Sequence, residues 1–266
     1  MRKIGALVRA AWLSASSYRL GIVLSITSLL FTVVPLYFVG GALQPTMVNV
    51  IRGEGNDYFG FLIVGIMVVS LVTAALFALP NAISTGTSNG TLEALFTTPT
   101  PVPVLLVGLA GYDVLFALAR SFVLLLSASA LGTHVAWDRM GQAAPVLALL
   151  VLAHVPFGLA AGAMILAFRT MGPLPSVVLT LSTFLGGAYY PTHVIPGWFE
   201  KVSVLLPMTY GLRALRGILL EHLSLHDVAR DVAILSGFAL VLMLGGTLAF
   251  GAALRYSKRA GTLAQY

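Results

Sequence analysis

Six long apolar stretches, with little charge inside any of them, constrain this chain more than any other feature. A water-soluble fold of 266 residues could not bury that many greasy segments in one core. Composition agrees: 58% of residues are hydrophobic and only 9% are charged, against roughly 25% charged in a soluble domain. The chain therefore reads as an all-α polytopic membrane protein. Its expected transmembrane helices cover residues 20–38, 59–80, 104–131, 143–168, 174–190 and 232–254. Each is judged by its length at about 1.5 Å per helical residue. Pro35 is tolerable near the end of the first span, and Pro80 is expected to stop the second. The formal charge of +6 does not point to nucleic acid, because the basic residues sit mostly at span ends rather than on one polar face. The chain has no cysteine, which excludes disulfides, thiol catalysis and cysteine metal sites.

Residues 1–19 place Arg2, Lys3, Arg9 and Arg19 against Ile4, Leu7, Val8, Trp12 and Leu13. That spacing predicts an amphipathic helix at the headgroup level, the alternative being a solvated tail. A basic N-terminus before an apolar run also suits a signal peptide. No small-residue cleavage site follows closely, so the run reads as a retained first span.

Between the second and third spans lies Gly90-Thr91-Leu92-Glu93-Ala94-Leu95-Phe96-Thr97-Thr98-Pro99. Ser84, Thr85, Thr87, Ser88 and Asn89 precede it, as polar residues precede a helix start. Glu93 would occupy the first turn, and Leu92, Leu95 and Phe96 follow at helical spacing. Pro99, Pro101 and Pro103 end the segment. The expectation is a two-turn surface helix over 89–97.

Asp113 and Arg120 fall inside the third span, two turns apart on one face. Either they face a path or a partner subunit, or Asp113 is wetted at an interface while Arg120 is paired or snorkels. His154 in the fourth span has no acidic neighbour in sequence and reads as a packing residue. His222 and His226 could share a helical face, but no third strong ligand stands nearby. After the fifth span comes Gly186-Gly187-Ala188-Tyr189-Tyr190-Pro191, then Ile195-Pro196-Gly197-Trp198-Phe199. Residues 197–220 are too broken by proline and charge to span. They read as a re-entrant or interfacial helical pair, buried in protein or lining a wet cavity.

Six spans put both termini on one side. The segments on that side hold Arg2, Lys3, Arg9, Arg19, Arg169, Arg255, Lys258 and Arg259 against a single acid, Glu93. The opposite segments hold fewer basic residues and most of the acids, among them Glu54, Asp57, Glu221 and Asp227. The bias predicts cytoplasmic termini and a cytoplasmic Gly90–Pro99.

No phosphate-binding loop, His-Glu-x-x-His or Gly-x-Ser-x-Gly motif occurs. The chain is not expected to be an enzyme or to hold a cofactor. Active transport would need an ion gradient or a separate ATPase. An ion-coupled transporter would often show an inverted repeat and intramembrane carboxylates. Here there is Asp113 alone and no obvious repeat. A non-transport membrane scaffold is the remaining alternative.

Three motifs carry a resemblance. They are Gly90-Thr91-Leu92-Glu93-x-Leu95-x-x-Thr98-Pro99, then Gly187-Ala188-Tyr189-Tyr190-Pro191 leading to Ile195-Pro196-Gly197-Trp198, then Leu205-Leu206-Pro207-Met208-Thr209-Tyr210-Gly211-Leu212-Arg213 running on to Arg216 and Gly217. In this order across six spans, they make the whole chain, 1–266, resemble a single ABC-2 type transporter permease, the membrane subunit of an ATP-binding-cassette exporter. The resemblance implies a dimer with an identical or homologous permease in the cell inner membrane. It implies two copies of an ATPase subunit that binds ATP and Mg. It also implies a connecting helix at 1–19 and a coupling helix carrying Gly90, Thr91, Leu92, Glu93, Leu95, Phe96 and Pro99. An outer gate or path would be bordered by Tyr189, Tyr190, Pro191, Pro196, Trp198, Phe199 and Tyr210, although Trp198 also suits an interfacial belt. Cargo would be a drug, lipid or lipid-linked glycan. One departure stands out: the lead-in to Gly90 is uncharged, where the family usually carries Arg and Glu.

Overall fold

The computed structural model describes residues 19–91, 101–168 and 170–259. Eight α-helices are found among them: α1 (Arg19–Met47), α2 (Tyr58–Ser88), α3 (Val102–Ala130), α4 (Met140–Phe168), α5 (Leu174–Leu185), α6 (Gly197–Ser203), α7 (Pro207–Leu220) and α8 (Ala229–Arg259). Short 3-10 turns at Trp137–Arg139 and Thr192–Val194 precede α4 and α6. The expected N-terminal helix over 1–19 and most of the expected coupling helix, including Leu92, Glu93, Leu95, Phe96 and Pro99, lie outside the described residues.

Five of these helices are long and apolar enough to cross a membrane: α1 from Thr27, α2, α3, α4 with its preceding turn, and α8. The core sits on α2 and α4. Ile63, Met67, Leu71 and Leu76 of α2 and Val146, Leu150 and Ala153 of α4 are fully buried. Where α4 meets its neighbours, glycine permits backbone contact. A Cβ on Gly158 would fall 2.7 Å from the Ala75 carbonyl oxygen of α2. By contrast α1, α3 and α8 turn Phe31, Phe38, Phe122, Leu240, Val241 and Leu248 outward. In water such a surface would drive aggregation; in a bilayer it is the surface that faces acyl chains or a second subunit.

Three sequence expectations need correction. First, α2 does not stop at Pro80 but continues eight residues further to Ser88. Proline removes one donor and crowds the preceding turn, and membrane helices absorb this because their other backbone groups have no better partner. Second, the polar run expected to open the next helix instead closes this one. The hydroxyls of Thr87 and Ser88 donate back to the carbonyls of Ile83 (2.8 Å) and Ser84 (3.0 Å). Gly90, at φ +67°, then turns the chain out of the helix, and the Thr91 hydroxyl reaches back to the Gly86 carbonyl at 3.4 Å.

Third, the fifth expected span, 174–190, is a helix of only 12 residues, α5. At about 1.5 Å per residue it covers roughly 18 Å, well short of a hydrocarbon core of roughly 30 Å. The segment still travels most of the bundle. It begins beyond the end of α4 and reaches Tyr189, whose carbonyl accepts from the Tyr58 hydroxyl at the opposite end of α2. Irregular chain from Gly186 completes the passage that the helix does not.

Candidate functional site

That irregular stretch creates a problem that the chain solves with one side chain. Gly187 has φ +89°, a left-handed geometry suited to glycine, and it swings the chain out of α5. Gly186, Gly187 and Ala188 are buried, so their carbonyls have no water to bind and no helix to complete. Arg216 of α7 supplies the donors. It is 1% exposed, the largest fully buried side chain among the described residues. Its Nη1 donates to the Gly187 carbonyl (2.9 Å) and its Nη2 to the Ala188 carbonyl (2.9 Å). Nη2 also reaches the Phe61 carbonyl of α2 at 3.3 Å. The guanidinium carbon sits 3.3 Å from the centroid of the Phe61 ring.

A buried cation requires an anion. Glu54, from the loop between α1 and α2, accepts from Arg216 Nη1 at 2.8 Å, and its side chain is 14% exposed. Neighbouring bonds fix that loop. The Gly55 N–H donates to Glu221 Oε1 at 3.0 Å, beyond the end of α7. Asp57 caps α2 by accepting from the N–H groups of Phe59 and Gly60. Gly65 of α2 completes the junction. A Cβ there would lie 2.1 Å from the Ala188 carbonyl oxygen, so only glycine lets the loop lie this close to the helix.

The helix that carries Arg216 follows from its sequence. Pro207 is at its first position, where a missing N–H costs nothing. Leu212, Leu215, Ile218 and Leu219 are buried, and Arg213 is the exposed exception. Arg213 lies 3.8 Å from Asp231 of α8 and 5.6 Å above the Tyr210 ring. The break before α7 is also tied down. Thr209 Oγ1 donates to the Ser203 carbonyl (2.8 Å), and the Tyr210 hydroxyl to the Val204 carbonyl (2.9 Å). Thus α6 and α7 form a closed hairpin, with α7 inside the bundle and α6 at its edge.

The aromatic and proline residues expected at a gate do not gather in one place. Tyr210 is buried on α7 and packs near Phe238 of α8. Pro191 is buried, and Tyr189 and Tyr190 are half-buried. Trp198 is 65% exposed and stacks on half-buried Phe199 with ring centroids 3.4 Å apart. Pro196 is exposed at the start of α6. The set therefore divides into an inner part, bound up with the Arg216 junction, and an outer part on α6.

Asp113 and Arg120 are both half-buried on α3, and no ion pair joins them. Arg120 Nε is buried with no hydrogen-bond partner. A double-mutant cycle on Asp113→Asn and Arg120→Gln is expected to show coupling within about 0.5 kcal/mol, read by unfolding in mixed micelles. A coupling above about 1 kcal/mol would mean that the two charges pair. His154 is fully buried, with Nδ1 2.8 Å from the Leu150 carbonyl. His222 and His226 do not share a helical face. They sit in the turns between α7 and α8, with His222 at φ +56°. Among the described residues no three His, Asp or Glu side chains are placed to hold a metal ion.

Sequence reasoning had Arg216 in a family motif and among the charges outside the membrane, and Glu54 only among those charges, so the junction they form was missed. A signal was present: Arg216 stands among Leu215, Gly217, Ile218 and Leu219, a setting that demands a partner. Which acid supplies it, 162 positions away, was not legible.

The pattern of the family described as ABC-2 type transporter matches residues 2–220 of this chain. The chain is also similar to Nodulation protein J of Rhizobium meliloti (strain 1021), with 26% identity over 72% of this chain and 75% of that protein. Nodulation protein J of Rhizobium leguminosarum bv. trifolii is 29% identical over 76% of each. An inner membrane transport permease of Escherichia coli (strain K12), YadH, is 26% identical over 61% of this chain and 63% of its own length.

Proposed function

Because this chain belongs to the ABC-2 type transporter family, and is therefore a multi-pass transport permease of the cell membrane, we propose that it forms half of the path of an ATP-driven exporter. A second permease, identical or homologous, completes the path. Two copies of a separate ABC ATPase, which bind ATP and Mg, drive it from the cytoplasm. The cargo is amphiphilic or apolar, since few charges line the helices. The kinship with a protein named an inner membrane transport permease supports an inner-membrane location. The basic bias at span ends supports cytoplasmic termini.

One observation carries this reading: a short helical hairpin, α6–α7, is locked to the first turns of α2 through Arg216. The other end of α2 leads directly into the Gly90–Pro99 segment. At about 1.5 Å per residue, the 31 residues of α2 form an unbroken rod of roughly 46 Å. ATPase closure that moves Gly90–Pro99 would be carried along this rod to the hairpin. There the re-entrant α6–α7 pair, with Tyr189, Tyr190, Trp198 and Phe199, acts as the outer gate. The passage from Leu174 to Tyr189 serves as the sixth crossing, part helix and part loop.

Glu93 supplies the test. Glu93→Lys is expected to lower ATP-dependent transport by roughly five- to a hundredfold, the range of an ordinary coupling energy. The permease should remain folded, and its capture of the ATPase from mild detergent should weaken. Unaltered transport and unaltered cargo-stimulated ATP turnover would defeat the coupling role. Failure of the wild-type chain to co-purify with any ATPase would favour a scaffold.

A further inference from the structure

A cavity of about 360 Å³ opens beside the second half of α1, walled by Tyr37, Phe38, Gly41, Gln44, Asp57 and Phe59. Its volume falls in the range of small-ligand sites, roughly 300–1,000 Å³. None of these residues is a hydrogen-bond partner of Arg216 or part of the hairpin, and Asp57 adjoins the junction only as the cap of α2.

The chemistry of the walls is selective. Tyr37 stands edge-on to Phe38 and to Phe59, with centroids 5.8 and 5.4 Å away. Asp57 adds a carboxylate held in one orientation. Its oxygens accept from the N–H groups of Phe59 (3.1 Å) and Gly60 (3.0 Å) and from the Thr133 hydroxyl (2.5 Å). All three donors are neutral, so none of them supplies a counter-charge. Among the described residues no basic side chain forms an ion pair with Asp57. The Gln44 amide is held in place, donating to the Asn56 carbonyl (2.9 Å) and accepting from the Tyr58 N–H (2.7 Å). A fixed carboxylate without a counter-ion, beside three aromatic rings, is the recognition chemistry of an ammonium group. Below the opening, α1 continues as an exposed apolar face through Val34 and Phe31.

We propose that this cavity binds the ammonium head of a cationic amphiphile, with the head against Asp57 and the aromatic rings and the tail along α1. The same head chemistry belongs to a choline-headed lipid and to a free cationic cargo. The site is separate from the proposed gate and is measured without ATP, so its failure and the failure of the exporter reading are independent results.

The full chain would be reconstituted in vesicles of phosphatidylglycerol and a neutral glycosyl diacylglycerol, neither of which carries an ammonium head. Binding of radiolabelled dodecyltrimethylammonium would then be measured, with protein-free vesicles subtracted. Saturable binding at one site per chain is expected. Asp57→Asn keeps a helix cap but removes the charge, and should weaken binding at least roughly tenfold. Gly41 lines the cavity and a Cβ there meets nothing within 4 Å, so Gly41→Leu is the substitution expected to fill the cavity with least disturbance of the fold. It should abolish saturable binding even if the Asp57 variant were to misfold. Displacement by added phosphatidylcholine upholds the site with lipid as its occupant. Absence of displacement upholds it with a free cation. Equal binding of a neutral dodecyl glycoside, or unaltered binding in the Gly41→Leu variant, would overturn the proposal.

Discussion

Arg216→Met is expected to lower the stability of the folded permease by about 3–5 kcal/mol, the usual cost of removing one member of a buried ion pair. Three things are lost together. Glu54 loses its counter-charge with a side chain only 14% exposed. The carbonyls of Gly187 and Ala188 lose donors at 2.9 Å. The Phe61 ring loses the cation 3.3 Å from its centroid. Arg216→Lys tests the geometry rather than the charge. A single ammonium cannot reproduce the fork that reaches Glu54 and two successive carbonyls, so lysine should recover only part of the loss. Glu54→Gln keeps an acceptor and should cost less than Arg216→Met. The double variant Glu54→Gln/Arg216→Met should be more stable than the sum of its parts predicts, with coupling of at least about 1.5 kcal/mol. Unfolding in mixed micelles, followed by tryptophan fluorescence, measures all four. If Arg216→Met cost less than about 1 kcal/mol, the junction would not hold the loop.

The same numbers bear on mechanism. A hydrophobic substitute for a buried ion pair is often neutral or stabilising, so the pair is weak support for stability as such. Its consequence here is positional. Arg216 joins α2, the loop after α5 and α7 at one point, and Glu54 adds the loop after α1. Four segments that would otherwise slide past one another in an apolar medium are held in register. Under the exporter reading, hairpin motion must either carry this junction with it or break it. Arg216→Lys should therefore reduce transport more steeply than it reduces the amount of folded protein.

How much of this could be read in advance depended on whether the signal was local. Apolar length marked α3, α4 and α8 within a few residues, and the start of α2 but not its end, because the bilayer imposes the length requirement on each separately. Proline and glycine marked the break around 186–207 for the same reason. Proline misled at Pro80, where the helix continues, since its penalty is bounded and tertiary packing on α4 exceeds it. The polar run Ser84–Asn89 misled because serine and threonine hydroxyls serve a helix end by back-bonding as readily as they serve a helix start. The Arg216–Glu54 pair was illegible in a deeper sense. Its members are 162 residues apart, and nothing in either neighbourhood specifies the other. The aromatic set was chosen by residue type and separates in space, since Tyr210 faces the core and Trp198 faces outward.

Gly65→Ala separates a local rule from a tertiary one by the sign of its effect. Helix propensity alone predicts that alanine stabilises the middle of a helix by up to about 1 kcal/mol over glycine. The structure predicts the reverse. A Cβ at residue 65 would sit 2.1 Å from the Ala188 carbonyl oxygen, a contact with backbone on both sides and no rotamer to relieve it. The loop must retreat by more than an ångström to reach ordinary van der Waals separation. That movement draws the Ala188 carbonyl away from Arg216 Nη2, now at 2.9 Å. Overpacking of this kind costs about 1–3 kcal/mol, and the weakened junction adds to it. Gly41→Ala is the control. Its Cβ meets nothing within 4 Å, so it should follow propensity and be neutral or stabilising. Opposite signs for the two variants in one unfolding assay would locate the cost at the loop contact. Equal signs would mean that the loop does not lie on Gly65. Because both act through the same carbonyl, Gly65→Ala and Arg216→Met should also fall short of additivity when combined, since a loop already displaced has fewer bonds left for the arginine to lose.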